Sequence, residues 1–119
     1  MMDWIQLVLP TEGMQRALIE YVQAFEEQGQ CCMHLCREQL ENDYYEWLEK
    51  LQDRMLGLDG AQEILYLAVD MEDQVVGSLL LCAEEEQAPS VLVRPDRQDR
   101  NYPQQMLQQL QDLMGKKES

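Results

Sequence analysis

The sequence predicts an α+β fold, in which helices pack against a mostly antiparallel sheet. Two runs of strand-forming residues, 64–69 and 75–81, are separated by a short acidic turn, which is typical of an antiparallel hairpin. Elsewhere apolar residues recur every three or four positions, as in amphipathic helices. At 119 residues the chain can bury one core but not two, so residues 1–119 are predicted to form a single domain. The predicted order is β-α-α-β-β-β-α.

The first predicted elements are a strand and a helix. The apolar segment 4–9 ends at Pro10, and Thr11 is placed to cap the helix that follows. Gly29 is expected to end that helix. Its predicted core face consists of Met14, Ala17, Leu18, Tyr21, Val22 and Phe25.

A second helix is predicted before Gly57. Asn42 and Asp43, followed by Glu46, resemble a capping box, which would fix its first turn. Residues 33–40 are less periodic and fit either a helix or a loop. The predicted core face of the second helix consists of Tyr44, Trp47, Leu48, Leu51 and Met55.

The second half contains the three remaining strands and a final helix. The hairpin strands are apolar on nearly every residue, which indicates that both faces of the sheet are covered. An acidic loop at 84–86 precedes a fourth strand over residues 90–93, and residues 115–117 are typical of a helix end. The final helix is predicted to bury Met106, Leu107, Leu110, Leu113 and Met114.

The charge balance is strongly acidic. Nine basic and 23 acidic side chains give a net charge of -14, which disfavours binding to nucleic acid or anionic membrane. We interpret the acidic residues as a solvated surface, with mimicry of nucleic acid as the alternative. No apolar run approaches the roughly 20 residues that span a bilayer, and the N-terminus lacks a basic signal-peptide start. A cytoplasmic location is therefore expected.

Three of the four cysteines lie close to the single histidine. Cys31, Cys32 and Cys36 surround His34, but no second pair of zinc ligands appears elsewhere, so no metal is expected. We interpret the cysteines as free thiols that act as small apolar residues, and Cys82 as packing within a strand. No nucleophile is marked beside His34 in the sequence, so no catalytic residue is assigned.

The junction between the fourth strand and the final helix is the strongest candidate site. Arg94, Arg97 and Arg100 precede a predicted helix start, where unpaired N–H groups and the helix dipole attract anions. The pattern predicts a phosphate-binding junction. A capped helix start with solvated arginines remains the alternative.

Three stretches resemble the GNAT superfamily of acetyl-CoA-dependent N-acetyltransferases. Residues 5–11 are similar to its first strand and helix start, and residues 66–77 to its hairpin with a valine-glycine step. Residues 93–107 resemble its acetyl-CoA-binding segment, which implies acetyl-CoA as co-substrate and an amine as acceptor. The resemblance implies that Leu92 and Val93 contact the pantetheine arm. It implies that Gln98, Asp99, Arg100, Asn101, Tyr102 and Pro103 enclose the pyrophosphate.

The chain departs from that family in two ways. Asn101 stands where a glycine is expected, and Pro103, which has no N–H, stands at the last small residue of the motif. The family also continues with a further strand, a helix and two strands. The fourth strand is therefore predicted to have an open edge that another copy or another protein covers.

Three functional hypotheses follow. In the first, the protein binds acetyl-CoA and acetylates an amine with a partner completing the site, while Glu84 to Glu86 attract the amine or supply a base. In the second, the chain is a non-catalytic interaction module on a GNAT-like scaffold. In the third, it is an acidic inhibitor or nucleic-acid mimic.

Overall fold

The computed structural model describes residues 4–57, 62–82, 89–98 and 100–115, which combine helices with one antiparallel sheet. The predicted α+β class is confirmed. The strands are β1 (Gln6–Val8), β2 (Glu63–Val69), β3 (Val75–Cys82) and β4 (Ser90–Val93). The α-helices of the described part are α1 (Gln15–Glu27), α2 (Arg37–Asn42), α3 (Tyr44–Met55) and α4 (Tyr102–Gly115). Two short 3-10 turns span Glu12–Met14 and Pro95–Arg97.

The sheet has the order β1-β2-β3-β4, and each strand is antiparallel to its neighbours. The predicted hairpin of β2 and β3 is confirmed. Its register skips one residue near the turn, because Ala68 faces Gly77 whereas Val69 faces Val75. This bulge leaves Val76 as the extra residue on β3 and turns both Val76 and Gly77 towards the α4 side of the sheet.

Each face of the sheet has its own core, as the continuous apolarity of β2 and β3 predicted. Helices α1, α2 and α3 cover one face and α4 covers the other. The three-helix side is built around Leu18, Tyr21, Val22, Phe25, Leu40, Tyr44, Leu48, Leu51, Leu65, Leu67 and Val75. The α4 side is built around Ile5, Ala68, Val76, Leu79, Val93, Tyr102, Met106 and Leu110.

Two glutamines of α4 satisfy the outer edge of β1. The Leu7 N–H donates to Gln109 Oε1 (2.9 Å), and Gln109 Nε2 donates to the Ile5 carbonyl (2.7 Å). The Ile5 N–H also donates to Gln105 Oε1 (3.3 Å). Side chains four residues apart lie on the same face of a helix, so Gln105 and Gln109 reach Leu7 within β1 and Ile5 just before it, two residues apart on the outer side. The β1 edge is thereby closed to strand pairing.

The predicted helix caps are wrong in detail. Thr11 makes no side-chain capping bond, and a 3-10 turn separates it from the start of α1. Asp43 likewise makes no capping bond to α3, because it ends α2 with its N–H donating to the Gln39 carbonyl and leads directly into α3. The helix ends are better predicted, since α1 ends just before Gly29, which has φ +68°. The ambiguous stretch 33–40 divides into a loop and the start of α2.

Several predicted core residues are more exposed than expected. Leu107 and Leu113 are each 39% exposed, because α4 turns only its Tyr102–Met106–Leu110 line towards the sheet. Trp4 and Leu9 lie outside β1 and are exposed. The predictions for the acidic loop 84–86 and for the lysines at 116 and 117 fall outside the described residues.

Candidate cofactor junction and buried histidine network

Strand β4 has an open side. In an antiparallel pair, residues alternate between those that bond to the neighbouring strand and those that face away. The Arg94 N–H donates to the Val76 carbonyl (2.8 Å). Counting back from Arg94 in steps of two, Leu92 and Ser90 are therefore the residues of β4 that bond to β3. The intervening residues, Val91 and Val93, therefore direct their N–H and C=O groups to the open side. In the described part of the chain, β4 pairs with β3 alone, as predicted.

One of these outward groups is already occupied. Gln98 Nε2 donates to the Val93 carbonyl at 3.3 Å, so this side chain folds back onto the end of β4. Within the described ranges, the N–H and C=O of Val91 and the N–H of Val93 make no hydrogen bond to protein groups. The open side therefore offers two donors and one acceptor along an extended backbone.

The chain continues from β4 through the 3-10 turn to the first turn of α4. Asn101 precedes the helix, and its Oδ1 accepts a hydrogen bond from Gln105 Nε2 (3.0 Å). Among the described residues other than glycine, only Asp73 has a positive φ, so Asn101 does not adopt the left-handed conformation of the glycine it replaces. Pro103 is the second residue of α4 and supplies no donor. Backbone donors at this end are the N–H groups of Tyr102 and Gln104.

The arginines of the junction are partly neutralised by aspartates. Arg94 Nε lies 2.9 Å from Asp96 Oδ1, an ion pair without hydrogen-bond alignment. Arg97 approaches both Asp96 (3.7 Å) and Asp70 (4.0 Å) and donates to Gln74 Oε1 (3.4 Å). Asp96 can bridge both arginines because the 3-10 turn places it between them. The attraction of the junction for phosphate is therefore weaker than three arginines alone predicted.

A surface cleft of about 220 Å³ beside the junction is also acidic. Its lining includes Arg97 but also Asp70 and Glu72, and the exposed side chains of Trp4 and Met71 border it. Two carboxylates beside one arginine make this cleft a poor site for an anion.

The predicted site residues lie together along β4 and the start of α4. Leu92 is half-buried and Val93 is buried in the α4-side core. Tyr102 is 1% exposed, so its ring packs in the core and only its backbone can contact a ligand. Gln98, Asn101 and Pro103 are exposed and Arg100 is half-buried. Asp99 lies outside the described residues.

A second cluster, which we call the His34 network, was missed in the sequence. His34 Nδ1 lies 2.7 Å from Ser78 Oγ, and Ser78 Oγ lies 2.9 Å from the Tyr21 hydroxyl. On its other side, His34 Nε2 lies 2.9 Å from Ser90 Oγ. The network joins α1, the loop before α2, β3 and the first residue of β4. The available signal was Ser78 itself, because a serine within a fully buried strand requires partners.

Proton accounting selects one arrangement for the His34 network. Tyr21 and Ser78 are both fully buried, so each hydroxyl proton requires an acceptor. Both are satisfied if Tyr21 donates to Ser78, Ser78 donates to Nδ1, and the Nε2–H of neutral His34 donates to Ser90. Nε2 then cannot act as a base towards Ser90. The network fits a structural role better than a nucleophilic one.

The ionisation of the network follows its burial. Desolvation lowers the pKa of His34 below its ordinary value of 6.5 and raises that of Tyr21 despite its bond to Ser78. Because the folded pKa of His34 lies below the unfolded value, its contribution to stability is complete above about pH 6.5. That contribution is lost as the pH falls through the folded pKa.

The cysteines near His34 differ in exposure. Cys32 is buried, and burial raises the pKa of its thiol, whereas Cys31 and Cys36 are exposed, contrary to their predicted role as packing residues. All four cysteines are free thiols. No group of histidine, cysteine and carboxylate side chains within the described ranges has the arrangement of a metal site.

Comparisons with known proteins supply no relative. No family model matches the chain, and no curated protein or solved structure matches it significantly. The resemblance to N-acetyltransferases therefore rests on the residues quoted above. Within the described part of the chain, no helix has the length and apolarity needed to cross a membrane.

Proposed function

We propose that this chain is a GNAT-like acetyl-CoA-binding protein whose cofactor site is the junction of β4 and α4. One observation carries the proposal: β4 has outward backbone groups on an open side, and the chain runs from the end of β4 through one 3-10 turn into the N-terminal turn of α4. An extended ligand that carries amides along its length and a pyrophosphate at its end has the matching chemistry.

Each end of the site has a distinct role. The pantetheine arm would pair with the outward groups of Val91 and the N–H of Val93, as an added strand does. The pyrophosphate would accept hydrogen bonds from the N–H groups of Tyr102 and Gln104. The arm also requires a second wall, which we assign to a protein partner on the open side of β4. Acetyl transfer to an amine would depend on that partner, because no described residue is assigned to proton transfer.

Pro103 makes a sharp test of this site. When a protein lacks one hydrogen-bond donor to a charged ligand, binding is weaker by about 1.5 to 3 kcal/mol, or roughly ten- to a hundredfold in affinity. Replacing Pro103 with alanine restores an N–H at the second residue of α4 and is expected to tighten acetyl-CoA binding about tenfold or more in titration calorimetry. Misfolding of the variant could not cause tighter binding, so a gain of affinity can be attributed to the restored N–H.

The matched control for this titration is Pro10→Ala, which removes a proline far from the junction and should leave the affinity unchanged. Asp96→Asn should also tighten binding, because it releases Arg94 and Arg97 from their shared carboxylate. An absence of heat at millimolar acetyl-CoA in the wild-type protein and in Pro103→Ala would overturn the proposal.

A second candidate function is a non-catalytic interaction module that binds a strand of a basic protein. The open side of β4 supports it, since an unpaired edge is a template for strand addition. The net charge of -14 favours a basic partner over a second copy, which would carry the same charge. The Asp96 bridge, which weakens a phosphate site, is compatible with this function.

Substitutions of Val91 test the open edge. Val91→Pro removes an outward N–H without breaking the ladder to β3, so the fold should persist while strand addition is lost. We expect an extended peptide of alternating lysine and valine to bind the wild-type protein, in calorimetry at low salt, at least about tenfold more tightly than it binds Val91→Pro.

Val91→Ala keeps the N–H and is the matched control for the peptide titration. Equal binding of the peptide to both variants would exclude β4 as the docking edge. Light scattering tests whether a second copy of the chain occupies the edge of β4 instead. If the wild-type protein is a dimer and Val91→Pro is a monomer, a second copy lies on β4 and the candidate function with a basic partner is contradicted.

A further inference from the structure

His34 connects the segment between α1 and α2 to the strand that carries the proposed cofactor site. Its imidazole contacts β3 through Ser78 and the first residue of β4 through Ser90 (2.7 and 2.9 Å). Ser90 is the N-terminal end of the four-residue β4, so the contact holds the strand where its pairing with β3 begins.

Protonation changes the number of donors in the His34 network. Neutral His34 has one donor and one acceptor, whereas the imidazolium has two donors. Nδ1–H would then point at Ser78, whose own proton is left with no acceptor unless it turns to Tyr21. In either arrangement one buried hydroxyl proton, of Ser78 or of Tyr21, lacks an acceptor, so the charged form does not fit the closed network.

We propose that His34 is a pH-sensitive latch: its protonation opens the His34 network and loosens the N-terminal end of β4. The functional consequence rests on the proposed function, because β4 is the strand that would hold pantetheine. Under that function, acidification weakens ligand binding by disordering the open edge.

The charges of the other ionisable groups around His34 balance one another. A cleft of about 200 Å³ beside His34 is lined from α3 by Glu46, Lys50 and Arg54, and from the α2–α3 junction by Asp43. Glu46 and Lys50 form an ion pair at 3.3 Å, which leaves one carboxylate and one guanidinium. The ionisable neighbours from α1 and from the loop itself, Tyr21 and Cys32, are neutral near pH 7, and β3 and β4 contribute only the hydroxyls of Ser78 and Ser90. Burial, rather than a neighbouring charge, therefore sets the protonation of His34.

Hydrogen exchange of β4 tests the latch without any ligand. The amides of Ser90 and Leu92 are directed at β3, so their protection reports whether this part of β4 is paired. Between about pH 7.5 and about pH 5, we expect their protection to fall about tenfold relative to β2 amides, after correction for intrinsic exchange. The sole imidazole resonance should titrate over the same range.

Two variants make the result specific to His34. In His34→Gln, the protection of the β4 amides should not fall with pH. In Ser90→Ala, their protection should be low at both pH values, because this variant removes the contact between His34 and β4 and keeps the contact between His34 and Ser78. Equal protection of the wild-type protein at both pH values, or the same loss in His34→Gln, would overturn the latch.

Acetyl-CoA titrations at the same two pH values separate the latch from the proposed function. Weaker binding at the lower pH, absent in His34→Gln, supports both. If β4 loosens with acid while acetyl-CoA binds at neither pH, the latch stands and the proposed function fails.

Discussion

Replacing Gly77 with alanine is expected to lower the free energy of unfolding by about 1 to 3 kcal/mol, which is typical of overpacking. A Cβ built on Gly77 would lie 2.9 Å from the Leu92 carbonyl oxygen and 3.0 Å from Met106 Cε. The methionine can turn aside, but the carbonyl belongs to the backbone of β4. Strand β4 must therefore move away from β3 at this point.

Gly13→Ala is the matched control for Gly77→Ala. Gly13 lies in the 3-10 turn before α1, and no heavy atom would lie within 4 Å of its new Cβ. Both variants change glycine to alanine, so their difference in urea unfolding isolates the clash at β4. Equal midpoints for the two variants would contradict the close approach of β3 and β4 at Gly77.

The same substitution also probes the candidate site. If β4 shifts while α4 stays in place, the outward groups of Val91 and Val93 change position relative to the start of α4. Any acetyl-CoA binding should therefore weaken in Gly77→Ala even under conditions where the variant is fully folded. This result would connect the packing of one glycine to the geometry of the junction.

The strands could be predicted from the sequence because local residue preferences and burial agree there. Runs such as 64–69 and 75–81 contain strand-forming residues at nearly every position, and the structure covers them on both faces. The bulge at Val76 could not be predicted in the same way, because it depends on how β2 and β3 align near their turn.

The polar contacts that organise the fold depend on residues distant in the chain. His34 and Ser78 are 44 positions apart, and Leu7 and Gln109 are 102 apart. The many glutamines of the final helix were visible in the sequence, but not that two of them close the edge of β1. Hydrophobic periodicity reports which face of an element is buried, and carries no information about such pairings.

At the candidate junction, too, the secondary structure could be predicted from the sequence, whereas the side-chain contacts could not. The sequence indicated a strand end, a turn and a helix start in the right places. The sequence already placed the negative charges of Asp96 and Asp99 near the arginines, but the ion pairs of Asp96 with Arg94 and Arg97 depend on the 3-10 geometry of the turn and emerged only from the structure.

Replacing Ser78 with alanine is expected to destabilise the protein by about 2 to 4 kcal/mol, because the buried Tyr21 hydroxyl and the half-buried His34 imidazole lose their partner at once. Among the described residues, Ser78 is the only hydrogen-bond partner of the Tyr21 hydroxyl, and it is likewise the partner of His34 Nδ1. Urea unfolding followed by tryptophan fluorescence measures the loss. Ser90→Ala is the control, since it removes an exposed hydroxyl from the same histidine and should cost far less.

A double-mutant cycle with Tyr21→Phe identifies the source of the Ser78 effect. Phenylalanine keeps the ring that packs edge-on against Phe25 and removes the hydroxyl that Ser78→Ala leaves without an acceptor. The double variant should therefore lose less stability than the sum of the two single variants, by about 0.5 to 3 kcal/mol. Strict additivity would mean that the two hydroxyls do not interact. The His34 network would then lose its buried end, and with it the reason why protonation of His34 should disturb β4.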